Sequence, residues 1–189
     1  VKPGDYTVVA TSLATGCASA PTPVTVLPSE PAIVSYTMTD DFSDNMVITV
    51  QAEGVGGDYE YQLDGGEFQD SPTFYDVSSG NHVVTVRDKN GCGSSSSQAL
   101  VINYPKFFTP NGDGYNDTWN IKDLQTKDKA IIYIFDRYGK LLREVRPNGD
   151  GWDGTFSGQT MPSTDYWFTV NYEDEGVAKE FKAHFAMKR

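Results

Sequence analysis

The sequence predicts an all-β protein made of tandem antiparallel β-sandwiches. Two observations lead to this. Short runs with strand character recur along the chain, such as Met-Val-Ile-Thr-Val-Gln at 46–51, Tyr-Glu-Tyr-Gln-Leu at 59–63 and Tyr-Trp-Phe-Thr-Val at 166–170, and period-two alternation is the mark of a strand. Eighteen glycines and many polar turns separate these runs, at the roughly even spacing of small antiparallel sandwiches. No long helical pattern and no apolar run long enough to span a membrane is present.

In chain order, residues 3–10 read as a turn and a strand, and Thr15-Gly16-Cys17 closes the following loop. The same outline returns at 79–86 and ends on Gly91-Cys92. The second copy closes seventy-five residues after the first, a period that suits repeated sandwich modules. Four prolines at 21, 23, 28 and 31 surround Val24-Thr25-Val26, which predicts a last strand and a stiff link. Three segments follow: 1–27 as the closing strands of a preceding repeat, 28–104 as a complete repeat, and 105–189 as a C-terminal sandwich. Because Val1 falls in mid-pattern, the chain is expected to be the C-terminal piece of something longer. The middle repeat should hold strands at 33–38, 46–51, 59–63, near Phe68 and Phe74-Tyr75, at 82–87 and at 99–103, with a tight turn at Asp64-Gly65-Gly66. In the last segment, Trp119-Asn120-Ile121 reads as a short strand and 130–135 as a central strand covered on both faces. Residues 140–145, 166–173 and 181–188 complete it. The last two alternate, placing Tyr166, Phe168, Val170 and Tyr172, then Phe181, Ala183, Phe185 and Met187, on single faces.

The net charge of −11 argues against nucleic acid, whose phosphates require a basic surface. It is concentrated in 27–104, with twelve acids against two bases, whereas 105–189 has thirteen acids against twelve bases. Two surfaces of such different character suggest two domains with different tasks, although an acidic block also serves solubility alone. The two cysteines show no metal-ligand spacing. A Cys17–Cys92 disulfide, an unpaired buried thiol, and a partner upstream of Val1 all remain open.

Residues 105–119, Pro-Lys-Phe-Phe-Thr-Pro-Asn-Gly-Asp-Gly-Tyr-Asn-Asp-Thr-Trp, organise the C-terminal segment. Prolines restrict the backbone at its start, and the Asn-Gly-Asp-Gly run favours a tight turn. With Ile131 to Lys140 (Ile-Ile-Tyr-Ile-Phe-Asp-Arg-Tyr-Gly-Lys), Gly151-Trp152-Asp153-Gly154, 165–170 and 181–189, this stretch resembles the gliding motility-associated C-terminal domain of Bacteroidetes surface proteins. That domain is a type IX secretion signal of the type B class. The resemblance implies an immunoglobulin-like sandwich, so the whole is expected to be all-β, as tandem immunoglobulin-like antiparallel β-sandwiches. It also implies passage through the periplasm and across the outer membrane, retention at the cell surface, and recognition by the type IX secretion translocon with a PorP/SprF-type outer-membrane β-barrel partner. The upstream modules resemble SprB-type repeats of surface adhesins, including gliding-motility adhesins.

No catalytic constellation stands out. His82 and His184 fall at strand positions, His82 where Tyr6 stands in the first repeat copy, and no nucleophile elbow, zinc-protease motif or phosphate loop occurs. Asn111, Asp113 and Asp117 offer oxygens for a calcium ion, but the twelfth position counted from Asn111 is Lys122, unlike an EF-hand. The alternative is an Asx-turn network locking the loop under Trp119. Asp150 and Asp153 beside Trp152 form a weaker version, and Asn116-Asp117-Thr118 matches a glycosylation sequon. The aromatic residues of 105–189 chiefly fill a core, but Trp167 lies opposite Tyr166 and Phe168 and is expected to be exposed. Exposed rings beside Arg and Lys are common binding anchors. The expected partner-binding set is Phe107, Phe108, Arg137, Tyr138, Trp167, Lys182, Lys188 and Arg189, together with the edge of the terminal strand. The competing readings are a carbohydrate- or ligand-binding module that stacks sugars on Trp152 and Trp167, and a passive stalk spacer.

Overall fold

The computed structural model describes residues 2–28, 30–55, 57–90, 93–127, 129–174 and 176–189. It is an all-β chain that divides into two compact units. The first comprises Val1–Thr39, Val47–Asp76 and His82–Ala99, and the second Asp40–Met46, Val77–Asn81 and Leu100–Arg189.

In the first unit, β1 (Gly4–Val8) and β2 (Thr22–Val26) form an exposed antiparallel ribbon. Cys17 is exposed, and Cys92 lies outside the described residues. Strand β3 (Ile33–Met38), β4 (Ile48–Glu53), β5 (Tyr59–Leu63), β6 (Thr73–Phe74), β7 (Gly80–Asp88) and β8 (Ser94–Val101) make two three-stranded sheets, ordered β3-β4-β6 and β5-β7-β8. Ile48 and Val50 of one sheet and Val84, Val86 and Ala99 of the other are buried. The expected tight turn is present, with Asp64 and Gly65 both at positive φ (51° and 72°), the geometry that suits a hairpin turn. The Asp64 carboxylate accepts the Val83 N–H at 2.8 Å and meets Nδ1 of the buried His82 at 2.6 Å. Phe68 is not in a strand; the bridge in that region is Gln69 to Tyr61.

The second unit is built on one five-stranded sheet. Its strands are β9 (Phe107–Phe108), β10 (Ile131–Phe135), β11 (Leu141–Val145), β14 (Asp165–Asp174) and β15 (Val177–Met187), in the order β11-β10-β14-β15-β9. A small hairpin, β12 (Thr155–Phe156) with β13 (Gln159–Thr160), lies between β11 and β14 in sequence. All pairings in the sheet are antiparallel except β15 with β9, which is parallel. The alternation expected for the last two strands holds: Tyr166, Phe168, Val170, Tyr172, Phe185 and Met187 are buried, and Phe181 and Ala183 pack partly buried against the same core.

Two expectations for the second unit need correction. Trp119-Asn120-Ile121 forms no strand but a single bridge, Trp119 to Trp152, before a 3-10 turn at Lys122–Leu124. The Asn120 side chain takes over the local bonding: Nδ2 lies 3.0–3.2 Å from the carbonyls of Arg146, Pro147 and Gly149, and Oδ1 accepts the Ile121 N–H. Strand β10 is central but not covered on both faces. Ile132 and Ile134 are fully buried, whereas Ile131, Tyr133 and Phe135 are half-buried on the outer face.

The core is aromatic. Trp119 stacks on Phe185 at 3.9 Å and 9°, and Trp152 meets Tyr166 edge-on at 4.8 Å. Phe42 lies at the far end of this layer. It stacks on Phe181 at 4.3 Å and touches Tyr172 edge-on at 5.9 Å, although its own backbone is left-handed (φ 65°). Its N–H donates to Ile102 O, and neighbouring Asp41 accepts the Tyr172 hydroxyl at 2.7 Å. Burial and the Asp41 carboxylate together hold the Tyr172 phenol protonated well above its ordinary range.

Phe42→Ala should destabilise the second unit by about 3 kcal/mol, the scale for emptying an aromatic core site. Denaturant unfolding followed by tryptophan fluorescence measures this directly, because all three tryptophans lie in that unit. Gly151→Ala should cost about 1–3 kcal/mol: Gly151 has φ 88°, and a Cβ there would sit 2.7 Å from the Trp119 carbonyl oxygen.

Candidate functional site

The five-stranded sheet has an inner face that builds the core and an outer face that does not. Register assigns the outer residues. Phe135 opposes Trp167, which opposes His184; Tyr133 opposes Thr169, which opposes Lys182. Phe107 reaches the same face through its pairing with Ala186, and Leu141 through its pairing with Phe135. Trp167, Leu141 and Phe107 on this face are 43%, 47% and 44% exposed.

A shallow groove of about 420 Å³ opens on this face, lined among others by Phe135, Arg137, Trp167, Thr169, Lys182 and His184. The expected residues Arg137, Trp167 and Lys182 thus share one site. Arg137 is aimed by a bond from Nη2 to Thr164 Oγ1 at 2.9 Å. It stands on a turn closed by Asp136, whose Oδ1 accepts the N–H groups of Tyr138 and Lys140. The Trp167 and His184 rings lie 6.3 Å apart. Lys182 pairs with Glu180 at 2.7 Å, an exposed contact of little energetic weight. Lys188 lies over the Phe107 ring at 4.7 Å, a cation–π contact that leaves the ammonium at the surface. Tyr138 is 87% exposed at the turn between β10 and β11.

Two expected contact residues are elsewhere. Phe108 is 1% exposed and packs against Trp152 and Phe185; the pleat turns it inward because its neighbour Phe107 faces out. Arg189 donates Nη1 to Met161 O at 2.7 Å, away from the groove. Trp152 is 1% exposed, so a sugar platform shared with Trp167 is not formed. Phe135, Thr169 and His184 complete the groove outside the expected set: Thr169 shares the parity of Trp167 on its strand, and cross-strand register sets Phe135 and His184 opposite Trp167.

The loop of Asn111, Asp113 and Asp117 is closed by its own hydrogen bonds. Asp117 accepts the N–H groups of Asn111 (3.0 Å), Gly112 (2.7 Å) and Gly114 (2.7 Å). Asn111 Nδ2 donates to Asp113, and Asp113 in turn accepts the Tyr115 N–H. The bonds from Gly112, Gly114 and Asn111 hold the Asp117 carboxyl below the usual carboxylate range. These bonds form an Asx-turn network. Among the described residues, no group of three or more His, Cys, Asp or Glu is placed to hold a metal ion.

Residues 102–186 match the CHU_C type IX secretion signal domain. The match supports a secretion-signal role for the second unit, and the matched family is not an enzymatic one. Such a signal implies export across the outer membrane to the cell surface and a partner in the secretion machinery. The match opens at Ile102, a buried core residue of this unit, slightly before the expected boundary at Pro105.

Two further likenesses are partial. A 67-residue stretch is 36% identical to the sn-glycerol-3-phosphate import ATP-binding protein UgpC of Pectobacterium atrosepticum, covering 35% of this chain and 18% of that protein. The BSP domain of a biofilm-associated protein aligns over 82% of this chain and 29% of its own, at 10% identity and a TM-score of 0.26. The chain thus spans less than a third of each of these proteins. Among the described residues, no helix is long and apolar enough to cross a membrane.

The Asp117 interaction has a defined pH dependence. Its carboxyl titrates lower in the folded loop than in the unfolded chain, so the stabilisation is complete above the ordinary carboxylate range and is lost as pH falls through the folded value. Emission from the neighbouring Trp119 should stay native down to about pH 4 and change below it. Asp117→Asn should lower the melting temperature at pH 7 and flatten that acid response.

Proposed function

We propose that this chain is the C-terminal region of a large cell-surface adhesin, and that its signal domain docks as a folded unit onto the export apparatus. The docking surface is the outer face of the sheet, centred on Trp167, with Phe107, Arg137, Tyr138, Lys182 and Lys188 around it. The receptor is a PorP/SprF-type outer-membrane β-barrel protein acting with the type IX translocon, and docking also retains the protein at the cell surface. The ribbon of 1–27 and the repeat of 28–104 are the end of a stalk of SprB-like repeats, as in a gliding-motility adhesin. One observation carries the reading: a half-exposed tryptophan between the buried Tyr166 and Phe168 of its strand, in a groove that also holds an arginine and a lysine. Interfaces are anchored by such residues.

The test uses the whole 189-residue chain, because core residues Phe42 and Ile102 lie upstream of Pro105. It is fused behind a soluble periplasmic reporter in a type IX-competent bacterium, and surface exposure is measured with and without the PorP/SprF-type protein. Display should require that protein. Trp167→Ala should reduce display about tenfold, the scale of losing one interface anchor, while leaving the unfolding midpoint nearly unchanged. Display without the barrel protein would refute the receptor. Full display by a Trp167→Ala, Arg137→Ala double variant would refute the surface.

A further inference from the structure

Strand β15 is paired along only one side for most of its length. Strand β14 covers that side from Val177 to Ala186. On the other side β9 pairs with Ala186 and Met187 alone, and no other strand of the described residues lies beside it. Two bonds set the parity: the Ala186 N–H donates to Lys106 O on the β9 side, and the Met187 N–H to Thr164 O on the β14 side. Since successive residues of a strand alternate, the backbone N–H and C=O groups of Ala178, Glu180, Lys182 and His184 point out of the sheet edge. All four residues are exposed.

A row of unpaired donors and acceptors is a template for one kind of ligand, an extended strand. This row adjoins the docking groove, because Lys182 and His184 belong to both. Its outward side chains run from anionic Glu180 to cationic Lys182 to His184, favouring a strand with a carboxylate near Lys182 and His184 and an apolar residue reaching toward Trp167. A second copy of the chain is a poorer occupant, because each copy carries a net charge of −11 and like-charged molecules repel.

We propose that the edge at residues 178–184 accepts a strand from the docking partner, extending the five-stranded sheet by β-strand addition. The added strand ends where Lys106 begins the β9 pairing. This inference rests on the docking reading above, and names the backbone contact by which the partner is held.

Hydrogen–deuterium exchange on the full chain, alone and with the purified PorP/SprF-type protein in detergent micelles, tests it. The amides of Glu180, Lys182 and His184 should become protected in the complex. Proline at 182 removes only an edge-facing donor, a position where strands tolerate it. Lys182→Pro should therefore weaken binding about tenfold more than Lys182→Ala, which loses the same side chain but keeps the edge-facing N–H. Binding without protection at these amides overturns strand addition and leaves docking through the outer face intact. Absence of binding overturns both. Concentration-dependent protection of the chain alone would assign the edge to a second copy and overturn the partner assignment. If Lys182→Pro unfolds the domain, protection in the unsubstituted chain decides the matter by itself.

Discussion

The second unit depends on burying two tryptophans without leaving either indole N–H unsatisfied. Trp119 and Trp152 exchange backbone bonds in both directions at 2.9 Å. Trp119 Nε1 donates to Pro105 O at 2.7 Å and Trp152 Nε1 to Thr155 O at 2.8 Å. A buried indole requires such a partner, so the chain before Trp119 and the chain after Trp152 must both return to the rings. The first return produces the 105–119 loop and places β9 beside β15. The second produces the Gly151-Trp152-Asp153-Gly154 turn, where a Cβ on Gly154 would lie 2.6 Å from Met187 Sδ and one on Gly151 would press on Trp119.

This packing separates the two faces of the sheet. Phe108, Trp119, Trp152, Tyr166, Phe168 and Phe185 form a continuous set of ring contacts on the inner face. Strand parity then leaves Trp167 and Phe107 outside, where no ring of that core can reach them. An apolar outer face is costly to leave in water. Trp167 and Phe107 stay on that face because the inner face is already filled.

A polar network closes the opposite end of the inner layer. Lys127 and Lys179 both bond Asp174, and Lys179 also pairs with Asp41, which accepts the Tyr172 hydroxyl. The Lys127 and Lys179 bonds hold the Asp174 carboxyl below the usual range, while the Asp174 bond and Asp41 raise Lys179. Lys106 pairs with Asp44 at 2.8 Å, an exposed contact of small weight. Together with Phe42, these contacts make residues 40–46 part of the folded signal unit, so its residues are not contiguous in sequence.

The sequence by itself determined the all-β class, the strands at Ile33–Met38 and Tyr59–Leu63, and the inward faces of β14 and β15, because period-two alternation is a local property. It also marked Trp167 as the odd residue out on its strand. Only the tertiary structure decided that Phe107 and Phe108 divide between the two faces, that Trp152 is buried, and that Asp117 bonds its own loop. The parallel pairing of β9 with β15 and the use of Phe42 were likewise invisible in sequence. Each joins residues far apart in the chain. Which of several similar apolar and acidic side chains meets a given partner is settled by long-range packing and backbone register, neither of which leaves a local pattern.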